Sequence, residues 1–156
     1  GGMAKMMGTI WLILCAMVFG GIMDAIGALA KISSYMLHLF DSIFGLFAST
    51  VFTCIGLNFT ASDQYLAIVV PGKMYSKAFK EKGLAPENLS RTLEDSGTVT
   101  SVLIPWNTCG AYHSNVLGVS VADYFVYAIF NWLSPFTTLF FAALNIKIRQ
   151  IVSNKV

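Results

Sequence analysis

Four stretches of this chain carry no Asp, Glu, Lys or Arg: 6–23, 42–62, 96–122 and 124–146. The first extends to position 30 if Asp24 is tolerated. At about 1.5 Å per helical residue, each is long enough to cross a hydrocarbon core, which takes roughly 20 mostly apolar residues. The pattern predicts an all-α, polytopic membrane protein with transmembrane helices at about 6–30, 35–57, 97–118 and 122–146.

The pattern is broken in two places. The third stretch holds Pro105-Trp106-Asn107-Thr108-Cys109-Gly110 at its middle. Proline removes an amide and frees carbonyls near residue 101. The second stretch ends in Gly56, Asn58, Thr60 and Ser62, poor helix formers that compete for backbone hydrogen bonds. A short half-helix is expected at 66–70, ahead of Pro71 and Gly72. Two helices are thus expected to be interrupted or re-entrant, at 58–64 and 98–108. Irregular backbone at membrane depth survives only where protein buries it or where it lines a cavity. Paired interruptions point to the binding site of a carrier.

Between the second and third stretches the composition changes. Lys73, Lys77, Lys80, Glu81 and Lys82 crowd together, Gly83 ends the segment, and Pro86 suits the first turn of a short helix at 86–95. The tail carries Lys147, Arg149 and Lys155. Basic loops stay cytoplasmic. A loop at about 72–95 and the tail therefore share that side, with an even number of crossings between them. Lys5 and Lys31 bracket the first span evenly and leave the orientation of the N-terminus open.

Composition agrees with the membrane reading. Hydrophobic residues make up 56% and charged residues 12%, against about a quarter charged in soluble domains. Mean hydropathy is +0.68. A net charge of +2, with no basic patch interleaved with aromatics, gives no nucleic-acid footprint. Cys15, Cys54 and Cys109 sit in apolar runs and read as small packing residues. No secretory signal peptide with a small-residue cleavage site is apparent. No Ser-His-Asp order, phosphate loop or CxxC occurs, so nothing supports an enzyme. The opening Gly1-Gly2-Met3, followed almost at once by a span, reads as the downstream piece of a longer protein.

The candidate chemistry lies at the breaks. Asn58, Thr60, Ser62, Asp63 and Gln64 offer hard oxygens of the kind small cations prefer, against the bland reading of a surface loop. Glu94 reads as an acidic helix cap, and Asp95 is open between cap and ion site. Thr98 and Thr100 follow it with hydroxyls that could replace water around an ion. Asn107 and Thr108 are expected to face the same cavity, with Tyr112, His113 and Asn115 a turn further. Asp63 and Asn107 are the candidate sodium ligands. Asp24 shares a helix face with Ala16 and Gly20, and is either an intramembrane carboxylate or an interfacial one. His38 and Asp41 form either a proton relay or a solvated helix entrance.

Three stretches resemble one family. They are Thr9-Ile10-Trp11-Leu12-Ile13 through Phe19-Gly20-Gly21-Ile22-Met23; Gly56-Leu57-Asn58 through Asp63-Gln64-Tyr65 to Val70-Pro71-Gly72; and Leu89-Ser90-Arg91-Thr92-Leu93-Glu94-Asp95-Ser96-Gly97-Thr98-Val99-Thr100 through Pro105 to Gly110. The chain is similar to the C-terminal region of NhaC-type sodium/proton antiporters, in a superfamily that includes malate/lactate exchangers. The resemblance implies residues 1–156 as the C-terminal transmembrane half, one repeat, of a secondary transporter in the cytoplasmic membrane. It implies alternating access, with Asp63 or Asp95 alternating between proton and sodium. It implies no cofactor beyond transported Na+ and H+. The expected partners are the bilayer and the N-terminal half, with a homodimer left open. The alternatives are sodium-coupled organic-anion exchange and a non-transporting membrane fragment.

Overall fold

The computed structural model describes residues 42–151 continuously, and residues 7, 8, 10, 11, 14, 15, 18, 21, 22, 25–28 and 31 before them. The helices from residue 43 onward are α1 (Ile43–Thr60), α2 (Gln64–Glu81), α3 (Pro86–Leu93), α4 (Thr108–Leu117), α5 (Val121–Phe125) and α6 (Ile129–Ala143). A π-helical segment, Glu94–Thr98, and a 3-10 turn, Ser101–Leu103, stand between α3 and α4. Among the described residues there is no strand, only an isolated antiparallel bridge between Leu84 and Gln150. The all-α expectation holds. Asp24, His38, Asp41 and about half of the first predicted span lie outside the described residues.

Helix α1 starts where Ser42 Oγ accepts the Gly45 amide at 2.9 Å, an N-cap that satisfies an otherwise unpaired donor. It ends at Thr60, and Ser62 follows in the left-handed region at φ 58°. Among the described residues, α1 is the one helix both long and apolar enough to cross a membrane; α6 is apolar but shorter.

Helix α2 departs from the expected half-helix. It runs through Pro71 to Glu81, so the basic stretch is the second half of a helix rather than irregular loop. The reason lies in Tyr75 and Phe79, four apart on one face and both fully buried. Phe79 meets Phe47 of α1 edge to face at 5.2 Å, and the Tyr75 hydroxyl pairs with Thr53 at 2.8 Å. This packing outweighs the hydrogen bond that Pro71 removes. The Ala67 carbonyl, left without its helical donor by Pro71, faces Gly97. A Cβ on Gly97 would lie 3.3 Å from that oxygen, so glycine suits the close approach.

The main core joins Leu46, Phe47 and Cys54 of α1 to Tyr75 and Phe79 of α2, Leu89 and Leu93 of α3, and Ala142 of α6. Away from this core the ordinary order is inverted. Helix α1 buries Ser49, Thr50, Thr53 and Asn58 while Phe44, Phe52 and Phe59 are exposed. Helix α6 buries Ser134 and Thr138 while Phe130, Phe136 and Phe140 are exposed. Small and hydroxyl residues inside, with large apolar ones outside, is the arrangement of helices packed in an apolar solvent. Hydrogen bonds hold the segment after α6 to the α2–α3 turn and to the first turn of α3. Asn88 donates from Nδ2 to the Arg149 carbonyl at 2.6 Å and accepts the Arg149 amide at 3.1 Å. The Ile151 amide reaches Gly83 O at 2.7 Å.

Candidate functional site

Residues 94–107 are the irregular heart of the fold. Ser96 and Thr100 turn their hydroxyls onto the carbonyls of Thr92 and Ser96, each at 2.5 Å. Such back-bonding bends helices, and here it flanks the π segment, in which the Val99 amide reaches Glu94 O at 3.2 Å. Ile104 is extended, as a residue before proline prefers to be. A turn through Pro105 then closes with the Asn107 amide on Ile104 O at 3.1 Å. Carbonyls freed by the break are capped by side chains from elsewhere. Asn58 donates to Gly97 O at 2.6 Å, Asn131 to Val99 O at 2.8 Å and Tyr124 to Val102 O at 2.6 Å. The interruption is thus longer than the predicted 98–108 and reaches back to Glu94.

Asn58 and Asn107 meet at the centre, both with 0% exposure. Asn107 Nδ2 donates to Asn58 O at 3.1 Å and to Asn58 Oδ1 at 3.2 Å. Its Oδ1 accepts the Cys109 amide at 3.1 Å, capping α4. Asn58 Nδ2 also reaches Thr100 Oγ1 at 3.2 Å. The first break supplies Asn58 and the second supplies Thr100 and Asn107, so the structure brings these three predicted residues together. Thr108 joins through its hydroxyl to Asn107 Oδ1 at 3.5 Å and its amide to Ser62 O at 3.0 Å. Trp106 Nε1 adds a bond to Phe59 O at 2.9 Å. Gly110 packs so close to Ile104 that an added Cβ would lie 2.1 Å from its carbonyl oxygen.

Asp95 is placed differently. Its side chain keeps 24% of its exposure. Ser134 Oγ donates to Oδ1 at 3.3 Å and Thr138 Oγ1 to Oδ2 at 2.5 Å. Arg91, one helical turn earlier, brings Nε to 3.7 Å from Oδ2. Neither hydroxyl, nor Arg91, stood out in the sequence. The signal was there in α6: Ser134 and Thr138 are four apart, on one face of an apolar helix that also presents Asn131.

The remaining predicted residues separate. Asp63 caps α2, accepting the Tyr65 amide at 3.2 Å. The Thr60 hydroxyl bonds within α1, to Gly56 O. The Thr98 hydroxyl is buried with no hydrogen-bond partner. Glu94 is exposed, and His113 and Asn115 bond back to carbonyls of their own helix. An apolar groove of about 320 Å³ opens between α1 and α6, with Thr100 on an otherwise almost wholly apolar wall. A cavity of about 20 Å³, room for one water, lies beside Arg91, Thr138 and Phe141.

Residues 1–146 match the Na+/H+ antiporter family. The chain belongs to that family. It is 39% identical over 157 residues to the Na(+)/H(+) antiporter NhaC of Alkalihalophilus pseudofirmus, covering 99% of this chain and 34% of that protein. It is 35% identical over 139 residues to NhaC of Bacillus subtilis, covering 89% of this chain and 31% of that protein. It is 30% identical over 134 residues to the malate-2H(+)/Na(+)-lactate antiporter of Bacillus subtilis, covering 86% of this chain and 28% of that protein. The chain spans about a third of the length of the first two relatives. No solved structure matches. These relatives are antiporters and not enzymes, and antiport operates across a membrane, so this is a membrane-protein chain.

Proposed function

We propose that this chain is the C-terminal transmembrane portion of a multi-pass sodium/proton antiporter of the cytoplasmic membrane, working by alternating access, with Asp95 as the carboxylate that exchanges a proton for sodium. The observation that carries this reading is the Asp95 corner: a partly buried carboxylate met by two hydroxyls of another helix, beside a break in the backbone. Carboxylate and hydroxyl oxygens are hard donors suited to a small hard cation. With a proton on Asp95 the carboxyl itself is neutral. With the proton gone, the same oxygens and the hydroxyl oxygens of Ser134 and Thr138 can replace water around sodium. No covalent bond other than that to the proton is made or broken. The N-terminal half of the transporter would complete the cage. The bonds between the α2–α3 turn and Arg149–Ile151 support placing the basic helix end and the tail on one side, the cytoplasmic one.

The experiment is Asp95→Asn in the full-length transporter, assayed as sodium-driven proton movement in membrane vesicles. Exchange should be lost while the protein level stays normal. Sodium-dependent exchange at the normal rate would rule out Asp95. The malate/lactate relative favours one second reading, coupled organic-anion exchange. Sodium-dependent counterflow of radiolabelled malate and lactate in the same vesicles separates the two.

A further inference from the structure

Arg91 is loosely held. It is 47% exposed, and its contact with Asp95 is a single one at 3.7 Å through Nε, without the paired geometry that makes guanidinium–carboxylate bonds strong. A cation four residues before an anion is also the weaker order for supporting a helix. The group is held between two partners at once: Asp95 on one side and, on the other, the face of Phe141, whose ring centre lies 5.5 Å from Arg91 Cζ, within cation–π range. Phe141 belongs to the same face of α6 as Ser134 and Thr138, at spacings of seven and three. The cavity of about 20 Å³ beside Arg91, Thr138 and Phe141 lies at this junction.

We infer that Arg91 is a tethered cation that competes with the transported cation for Asp95, and so sets its apparent affinity. The inference rests on the reading of Asp95 as the coupling carboxylate. One carboxylate cannot hold two cations a few ångströms apart without strong repulsion. When sodium arrives at Asp95, Arg91 gives up the carboxylate and keeps its contact with Phe141. When sodium leaves, Arg91 returns and keeps the carboxylate paired. The empty carrier therefore never carries an unpaired charge at Asp95, and sodium must displace a partner to bind. Arg91 is a positioning residue and touches no transported ion.

The opposing effects of two substitutions test this. In the full-length transporter, Arg91→Gln should tighten the apparent sodium affinity by about threefold or more, the scale of a partly exposed ion pair. Phe141→Leu should weaken it by a similar factor, because Arg91 then rests on Asp95 alone. Arg91→Lys, which keeps the charge, should stay near the unmodified value. A merely structural pair would weaken affinity or yield in both variants. Transport is measured against sodium concentration, with Asp95→Asn run alongside. If Asp95→Asn abolishes exchange while Arg91→Gln leaves sodium affinity unchanged or weaker, the competing-cation inference fails and the Asp95 assignment stands. If Asp95→Asn exchanges normally, both fail. Should Arg91→Gln not reach the membrane, Phe141→Leu decides: an affinity unchanged or tighter overturns the inference.

Discussion

The two polar centres of this fold differ in one respect that separates structure from chemistry. At the Asn58–Asn107 crossing every partner is neutral, both side chains are fully buried, and each amide is spent on protein atoms. At the Asp95 corner the central group is a carboxylate with partial exposure, its hydroxyl partners come from one helix, and its cationic partner is loosely held. A saturated neutral network rigidifies, because leaving any member unpaired in an apolar surrounding is costly. A carboxylate with exchangeable partners can change its ligand. The crossing pins the two breaks to each other; on the function proposed above, the corner is where the ion is traded.

The largest effect expected on the pinned side is at Gly110. Gly110→Ala drives a Cβ into the Ile104 backbone at 2.1 Å. It should cost at least the upper end of the about 1–3 kcal/mol typical of overpacking. Detergent-solubilised protein should show a sharply lower melting temperature or fail to accumulate. A normal melting temperature would mean that the Pro105 turn moves freely of α4, against the rigid reading.

Asn107→Ala comes next. It leaves Asn58 O, Asn58 Oδ1 and the Cys109 amide without their partner. The loss should be about 2–3 kcal/mol, since buried unpaired groups bear their full desolvation penalty. If thermal stability is unchanged while sodium affinity falls, Asn107 is a ligand and the contrast between the two centres dissolves.

On the exchanging side, Thr138→Val removes the shorter hydroxyl bond to Asp95 with little change in shape. Stability should change by about 1 kcal/mol or less, while apparent sodium affinity drops about fivefold. Transport titrated against sodium, together with a melting curve, tells these apart. A stability loss with unaltered sodium dependence would make the corner a second pin.

Asp63→Asn should do least. Its role in the structure is to cap α2 through a side-chain oxygen, which asparagine also offers. The expected change is within about 0.5 kcal/mol, because Asn and Asp cap comparably, with sodium dependence intact. Loss of sodium coupling in this variant would move the exchanging role from Asp95 to Asp63.

The sequence by itself determined a great deal. Charge-free runs dictate helices in an apolar setting, and α1 occupies the second run with its cap at Ser42. Pro105 and the run of weak helix formers near Ser62 determined that the backbone breaks there, because both act locally, within a turn of the residue concerned. Local chemistry also singled out Asn58, Thr100 and Asn107. It misjudged Pro71, reading a stop where Tyr75 and Phe79 carry the helix onward into the core. The helical spacing of that buried pair was legible; the strength of their packing was not.

Only the tertiary structure decided which polar residues share a site. Asn58 and Asp63 are five apart in sequence, yet one points into the crossing and the other caps the next helix, because the turn at Ala61–Ser62 reverses the chain between them. Asp95 found its partners 39 and 43 positions away, on α6. A lone hydroxyl in an apolar helix looks the same whether it bonds its own backbone or a distant carboxylate. The difference is made by which helix faces are pressed together, and that follows from packing the whole chain and not from any local pattern.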